Sequence, residues 1–280
     1  MISIIGNGSI GLTLGALFAK AGIPVRIVTR REVDANEIIA EGVISGRFKA
    51  EFSTELGDPE AVIVAVKAYS VREASKKIDR DVPVLYIQNG LDILELVKDL
   101  VKRPVRALTG IGAYRKSPNR VFVSGINITR IGVTPSGDHK IFEELRKKAS
   151  LPYKLEDPVR AERIKASLNA GINPVTALLR VKNGELLRRR DALEVALRAV
   201  REAKTVAEAY GIDVGDVESM LIRGIERTAE NYSSMAMDVM NGRPTEIDYI
   251  NGKIVEKARA KNLEVPVNET LRRLVRSLSF

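Results

Sequence analysis

MISIIGNGSIGLTLGALFAK, residues 1–20, combines an apolar run, a glycine-rich turn and a helical pattern. The β-branched run Ile2 to Ile5 predicts a buried strand, and apolar residues recur with helical spacing from Leu12 to Lys20. Between them lies a G-x-G-x-x-G motif. This order predicts a Rossmann-type unit in which the helix N-terminus binds the pyrophosphate of a dinucleotide.

Each glycine of the motif has a physical role. Gly6 permits the tight turn out of the strand, Gly8 lets a pyrophosphate approach the backbone, and Gly11 lets the helix pack closely on the strand. The alternative is a glycine-rich turn that binds no nucleotide. The residues predicted to contact the cofactor are Gly6, Asn7, Gly8, Ser9, Ile10 and Gly11.

The second strand, Ile23 to Thr29, ends where this fold contacts the adenosine ribose. An acidic residue there favours NAD, whereas this chain has Arg30 and Arg31. A guanidinium matches a 2′-phosphate in charge and geometry, so we expect NADP(H). NAD(H) stays open because Glu32 and Asp34 follow closely, and the arginines could simply solvate the strand end.

Composition excludes several classes of protein. The 280 residues suffice for two domains, and no apolar run approaches the length of a membrane span. We therefore expect a cytoplasmic protein without signal peptide or membrane contact. Cysteine is absent, and the single histidine, His139, lies in a polar turn and is expected at the surface. No metal site is predicted.

The chain carries 45 basic and 36 acidic residues, a formal charge of +9. Nucleic-acid binding is one reading of this excess. The basic clusters nevertheless lie in amphipathic helical patterns without interleaved aromatic residues, so attraction of anionic small molecules fits equally well and no nucleic-acid partner is expected. Gln88 is the only glutamine, and the charged residues are abundant, which resembles the composition of thermophile proteins.

Strands and helices alternate in the first half, which predicts a doubly wound α/β sheet. The alternation ends at Asp157-Pro158, where Asp157 is a predicted N-cap and Pro158 the first helical residue. The patterns after this point predict helices only. We expect a Rossmann domain over 1–157 and an all-helical domain over 158–280. Predicted strands beyond the first two are 42–52 (a pair), 61–66, 82–87, 105–112, 121–124, 127–132 and 152–155. Predicted helices are 32–40, 70–78, 91–101, 141–149, 159–173, 192–210, 214–230, 246–261 and 267–278.

Two predicted strand ends carry polar residues where the ligand crevice of this fold lies. Lys67 follows one buried run, and Gln88-Asn89-Gly90 follows the next. Lys67 and Asn89 could contact cofactor or substrate. The alternatives are a solvated lysine and a turn-forming Asn-Gly.

In the helical half, Lys165, Asn169 and Asn173 repeat at i, i+4 and i+8 and share one helical face. Small neighbours permit close approach to this face, and Pro174 could kink the helix. A polar stripe usually marks the solvent-exposed face of a helix. Here, however, the charged residues Arg160, Glu162 and Arg163 are better suited to the exposed face, so the stripe need not be that face.

The segment Asn231 to Gly252 supplies hydroxyls and carboxylates, from Ser233, Ser234, Asp238, Glu246 and Asp248. Thr245 is a predicted cap for a helix that begins at Glu246. An acidic residue in a first turn is ordinary, so the spacing alone does not favour a catalytic Glu246.

Taken together, GNGSIG, VKAYS, QNG, K-x-x-x-N-x-x-x-N-P, SSM-x-x-D and TEID-x-ING resemble the ketopantoate reductase (2-dehydropantoate 2-reductase) family, of the 6-phosphogluconate-dehydrogenase-like superfamily. The resemblance implies NADPH-dependent reduction of 2-dehydropantoate to (R)-pantoate, toward pantothenate and coenzyme A. It implies Lys165 as general acid and Glu246 as its partner. Implied contacts are Asn169, Asn173 and Ser234 to substrate, and Lys67 and Asn89 to cofactor and substrate.

Alternatives remain at this stage. They are another 2-oxo- or 3-hydroxy-acid dehydrogenase of the same architecture, or a nucleotide-sensing or nucleic-acid-binding protein without turnover. A homodimer is expected. The segment Ala113 to Arg115 suggests no role.

Overall fold

The computed structural model describes residues 1–278, which divide into two compact units. The first comprises Met1–Gln88 and Asp92–Pro158, and the second comprises Asn89–Leu91 together with the chain from Val159 onward. In the described residues, no helix is long and apolar enough to cross a membrane.

The first unit is built on one mixed sheet of ten strands in the order β4-β3-β9-β8-β7-β6-β1-β2-β5, with β10 beside β9. The strands are β1 Ile2–Ile5, β2 Val25–Val28, β3 Glu37–Gly42, β4 Gly46–Lys49, β5 Glu51–Ser53, β6 Ala61–Val64, β7 Val84–Tyr86, β8 Pro104–Ser117, β9 Arg120–Gly132 and β10 Tyr153–Glu156. The helices are α1 Ser9–Lys20, α2 Val71–Ser75 and α3 His139–Lys148.

The parallel part of the sheet is the Rossmann-like core that the sequence predicts. β1 pairs in parallel with β2 on one side and with β6 on the other. Every residue of β1 and β6 is buried, as expected for central strands covered on both faces. Helices α1 and α3 contribute Leu14, Phe18, Phe142 and Leu145 to the same hydrophobic core.

Several predicted elements differ. The predicted helix over 32–40 is wrong, because Glu37–Gly42 forms β3, whose alternating burial has the period of a strand. The predicted helix over 91–101 reduces to a single 3₁₀ turn, Leu94–Leu96. The three strands predicted over 105–132 form one long hairpin of β8 and β9, with register shifts near Gly110 and Gly112. The irregularity at Gly112 therefore lies where the sequence predicted the end of a strand, and the strand continues past it.

The second unit is helical. Its elements are α4 Pro158–Leu179, α5 Glu185–Arg188, α6 Arg190–Ala209, α7 Val217–Arg227, α8 Ser234–Met240, α9 Asn251–Arg259 and α10 Pro266–Ser277. Helix α4 continues through Pro174 to Leu179 instead of ending there. It packs closely on α6, because a Cβ at Gly171 would lie 2.7 Å from the Ala196 carbonyl oxygen. The small residues of α4 thus serve helix packing.

Two further expectations for this unit are wrong. Glu162 and Arg163 are buried rather than on a wet face. The last-but-one helix begins at Asn251, five residues after Glu246, and residues 246–250 form turns instead. Thr245 therefore caps no helix there, although its hydroxyl lies 3.5 Å from the Ile247 amide nitrogen, which donates to it.

Candidate active site

The glycine-rich loop connects β1 to α1 in the geometry that the motif predicts. Gly6 has φ +114°, and a Cβ there would lie 2.9 Å from Val66 Cγ1. A Cβ on Gly11 would overlap the Gly6 carbonyl oxygen, so only glycine lets the helix start this close to the turn. At Gly8 the protein leaves room, since the nearest atom to a Cβ would be 3.7 Å away. No side chain caps α1, so its first amides are available to an anion.

Arg30 and Arg31 follow β2, the neighbour of β1, and are exposed. The Thr29 hydroxyl donates to the Arg31 carbonyl at 2.6 Å and shapes the turn. Within residues 1–278 neither arginine forms an ion pair, so Glu32 and Asp34 do not neutralise them. Lys67 follows β6 on the other side of β1 and is partly buried. The loop, the arginines and Lys67 therefore share one edge of the sheet.

Gln88 and Arg106 fix the neighbouring strand ends. The Gln88 amide donates to the carbonyls of Val64 at 2.7 Å and Val66 at 3.0 Å, which ties β7 to the end of β6. The buried Arg106 guanidinium donates to the Tyr86 and Gln88 carbonyls. These bonds hold the backbone just before Lys67 and Asn89.

Arg115, to which the sequence suggested no role, lies at the glycine loop. Its Nη1 donates to the Asn7 carbonyl at 3.4 Å and lies 3.5 Å from Asn7 Oδ1. The Asn7 amide donates in turn to the Pro118 carbonyl at 3.0 Å. The β8–β9 hairpin thus brings a guanidinium, without a carboxylate partner in the described chain, to the predicted phosphate site.

In the second unit α4 carries the predicted stripe. Lys165 and Asn169 are partly buried, and Asn173 is buried. The next turn ties this helix to the serine segment, because Thr176 Oγ1 donates to Ser233 Oγ at 2.8 Å. Ser233 Oγ also accepts from the Ala236 amide and caps α8.

Ser233 is therefore structural, whereas Ser234 is exposed at the first residue of α8. The structure thus brings the predicted Asn173 and Ser234 into neighbouring segments.

The three carboxylates between residues 238 and 248 differ in their surroundings. Asp248 pairs with Arg272 of α10 at 2.6 Å, and Asp238 pairs with Arg243 at 3.1 Å. Glu246 is buried, with an exposed fraction of 6%. Two of these acids thus stabilise local structure, and Glu246 remains the candidate for chemistry.

Asn89 and the Glu246 segment are brought together. The Leu91 amide donates to the Tyr249 carbonyl at 2.9 Å, while the Tyr249 amide donates to the Glu246 carbonyl at 3.0 Å. Gly90 has φ +109°, and a Cβ there would lie 2.8 Å from the Tyr249 carbonyl oxygen. The Asn-Gly turn is therefore part of the helical unit.

Asn251 joins the same segment to α4. Its amide donates to the Ala170 carbonyl at 3.1 Å and to Asn268 Oδ1 at 3.0 Å. Ala170 lies next to Asn169, so this fully buried bridge sets the position of the predicted stripe relative to α9 and α10.

One polar residue that the sequence analysis missed is Asn183. It is buried, its amide donates to Thr228 Oγ1 at 2.9 Å, and its Oδ1 has no partner. Its backbone amide donates to the Asn231 carbonyl, close to Ser234 in the chain. In the sequence, Asn183-Gly184 reads as an ordinary turn, so only the burial reveals it.

His139 is buried, so its predicted surface position is wrong. Its Nδ1 accepts from the Thr134 amide at 3.1 Å and stabilises the turn before α3. In the described residues, no group of three or more histidine or acidic side chains could hold a metal ion.

The chain matches two family models. Residues 2–136 match "Ketopantoate reductase PanE/ApbA", and residues 160–279 match its C-terminal counterpart. A 2-dehydropantoate 2-reductase from Pyrococcus horikoshii is 36% identical, with 99% of this chain and 96% of the relative covered. A ketopantoate reductase of Ralstonia eutropha JMP134 has a TM-score of 0.91 and 26% identity, with 99% and 98% covered.

Two further solved structures show the same fold at lower identity. A dimeric ketopantoate reductase from Staphylococcus aureus has a TM-score of 0.85 at 21% identity, with 99% of this chain and 98% of that chain covered. A D-mandelate dehydrogenase solved with NADH and anilino(oxo)acetate has a TM-score of 0.88 at 22% identity, with 99% and 98% covered. On the family models and the full-length relatives, the chain belongs to the ketopantoate reductase family.

Proposed function

We propose that this protein reduces 2-dehydropantoate to (R)-pantoate with NADPH, a step toward pantothenate and coenzyme A. The observation that carries the proposal is the polar stripe of α4, formed by Lys165, Asn169 and Asn173. Hydrogen bonds join this helix to the segments that contain Ser234 and Glu246. The family models match residues 2–136 and 160–279 of the chain. In this proposal residues 1–157 bind the cofactor, and residues 158–280, with Asn89, bind substrate.

The cofactor fits the first unit. The open space at Gly8, the uncapped start of α1 and the cations at the sheet edge suit a dinucleotide. Gly6 to Gly11 would hold the pyrophosphate, with Lys67 and Asn89 toward the nicotinamide end. When bound, the cofactor supplies a hydride to the substrate ketone.

Lys165 is the proposed general acid. Negative charge develops on the ketone oxygen as the carbon is reduced, and an ammonium stabilises that charge and donates the proton that completes the alcohol. Lysine suits this role here because the one histidine is buried in a structural turn. Glu246 is proposed to orient the ammonium and a substrate hydroxyl.

The substrate contacts follow from hydrogen-bonding chemistry. Asn169, Asn173 and Ser234 offer donors to a carboxylate and acceptors to a hydroxyl. A hydroxylated 2-oxo acid would satisfy this set.

NADP(H) preference is proposed from Arg30 and Arg31, which no carboxylate in the described chain engages. Arg115 extends the same idea to the pyrophosphate, from its position beside Asn7. Both proposals rest on the affinity of guanidinium for phosphate.

The test measures oxidation of NADPH and NADH in parallel, with 2-dehydropantoate and with 2-oxo acids that bear aromatic side chains. The aromatic acids are included because a D-mandelate dehydrogenase of the same fold was solved with anilino(oxo)acetate. We expect fast NADPH oxidation with 2-dehydropantoate and a loss of about 10²–10⁴-fold in kcat in Lys165→Ala. Cofactor affinity should stay unchanged, and Lys204→Ala on α6 is the control.

Turnover of the aromatic acids instead would favour another oxo-acid dehydrogenase. Absence of oxidation with all acids, together with salt-dependent nucleic-acid binding, would favour the non-catalytic alternative. We further propose a homodimer, supported by the dimeric Staphylococcus aureus protein of the same fold, and light scattering after size exclusion tests it.

A further inference from the structure

The first unit contains a small cavity that the proposed reaction does not use. Leu14 and Phe18 of α1, Phe142 of α3 and neighbouring strands form its largely apolar wall, and the polar residues Thr109, Thr129 and Arg146 also line it. About 10 Å³ is open to the centre of a water molecule, which is enough for one water or one ion of similar size.

Two of the residues that line this cavity each have a buried polar atom without a hydrogen-bond partner. Arg146 Nε and Thr129 Oγ1 make no hydrogen bond, although the residues are only 4% and 2% exposed. The two side chains are neighbours, because Arg146 Nη2 and the Thr129 amide donate to the same Pro152 carbonyl, at 2.9 and 3.1 Å. A buried donor without an acceptor is rare in native proteins.

Arg146 also carries a charge that no carboxylate balances in residues 1–278. Glu143, one turn earlier on α3, is engaged by Lys147 at 2.8 Å and by the Tyr153 hydroxyl at 2.7 Å. Burial lowers the pKa of Arg146 to about 10, so the guanidinium stays protonated at neutral pH. A buried charge without a counter-charge is strongly destabilising.

We propose that this cavity binds one small monovalent anion, of the size of chloride, between the Arg146 Nε–H and the Thr129 hydroxyl. Both groups donate to the anion, and its charge balances the guanidinium. A water molecule would satisfy the hydrogen bonds but would leave the positive charge uncompensated. The anion would thus stabilise the first unit independently of cofactor and substrate.

Crystallography locates the occupant directly. Crystals grown in sodium chloride are measured at long wavelength, and crystals grown in sodium bromide at the bromine edge. We expect an anomalous peak beside Arg146 Nε with at least one of the halides. A water molecule or an empty cavity, without anomalous signal from either halide, overturns the proposal.

Thermal unfolding supplies the second readout, at constant ionic strength with chloride exchanged for the bulkier gluconate. Above its dissociation constant, each tenfold rise in chloride should raise the melting temperature by roughly 3–5 °C. Arg146→Met should abolish this dependence, and Thr129→Val should weaken it while preserving shape.

Lys148→Met is the matched control, because Lys148 is an exposed cation in the same last turn of α3. Its chloride dependence should equal that of the unmodified protein. If Arg146→Met does not fold, Thr129→Val and the unmodified protein still decide the question. Equal chloride dependence in Thr129→Val and the unmodified protein, without an anomalous peak, contradicts the anion site.

Discussion

At the residue scale, the proposed preference for NADP(H) rests on Arg30 and Arg31, and substitution tests it. The double change Arg30→Ala/Arg31→Ala should raise the KM for NADPH by about 10–100-fold, since each hydrogen bond to a charged group contributes about 1.5–3 kcal/mol. The kinetic constants for NADH should change little. Arg80→Ala, an exposed arginine of the same unit, is the control. Equal losses with both cofactors would refute a 2′-phosphate site.

Arg115 makes a different prediction, because a pyrophosphate is common to both cofactors. Arg115→Met should raise the KM for NADPH and for NADH by a similar factor, about tenfold for one partly exposed charged contact. Lys116→Met tests the neighbouring cation, which pairs with Glu41 instead. An effect confined to NADPH would mean that Arg115 contacts the 2′-phosphate of the ribose and not the pyrophosphate.

The contrast between these residues shows what the sequence could predict. The glycine loop and the α4 stripe are local patterns, with a motif of six residues and a repeat of four, so spacing alone reveals them. Arg115 contacts Asn7, 108 residues away in the chain, because it lies on the β8–β9 hairpin. The register shifts of this hairpin hide from the sequence that β8 is one long strand. Asn183 is visible only through its burial.

At the scale of elements, the contact of α4 with α6 decides whether the stripe is held in place. Gly171→Ala should lower the free energy of unfolding by about 1–3 kcal/mol, because the added methyl group would force the two helix backbones apart. Gly224→Ala in α7 is a matched control, since a Cβ there meets nothing within 4 Å.

That control should raise stability by about 0.4–1 kcal/mol, because alanine restricts the unfolded chain. Urea denaturation measures both variants. A neutral Gly171→Ala would mean that the helices separate without cost, and the predicted role of the small residues in packing would be wrong.

Element prediction succeeded where burial and period agreed. The all-buried β1 and β6 and the amphipathic α6, α7 and α10 are recognisable from pattern. It failed for Glu37–Gly42, where helix-favouring residues lie in a strand because pairing with β4 and β9 overrides propensity. Such pairings are long-range and leave no local signal.

At the scale of the whole molecule, carboxyl groups in ion pairs and hydrogen bonds make stability depend on pH. Their pKa values are lowered, that of Asp99 to about 2 by the hydrogen bond from Arg72, and that of Asp138 by Arg103 and Ser136. Others with lowered pKa values are Glu41, Glu60, Glu73, Glu143, Glu194, Asp216, Glu230 and Glu269.

A lowered pKa stabilises the folded state fully above the unfolded value, near 3.9 for Asp and about 4.3 for Glu. The contribution is lost as pH falls through the folded pKa. The free energy of unfolding should therefore stay level from pH 7 to about 5 and fall between about pH 4.5 and 2. Salt at 1 M should flatten the part due to exposed pairs, because they are screened.

Asp138 should keep its share in salt, since its side chain is 6% exposed and Arg103 contacts it at 2.5 Å. In Asp138→Asn the fall in stability between about pH 4.5 and 2 should be shallower than in the unmodified protein, because one acid-sensitive group is gone. Asp58→Asn removes an exposed carboxyl that forms no ion pair in the described chain, and it should leave the slope unchanged.

Denaturant titrations at each pH, with and without salt, measure how steeply the free energy of unfolding of each variant changes with pH. Identical slopes in Asp138→Asn and the unmodified protein would mean that the pairing of Asp138 with Arg103 contributes nothing to folding.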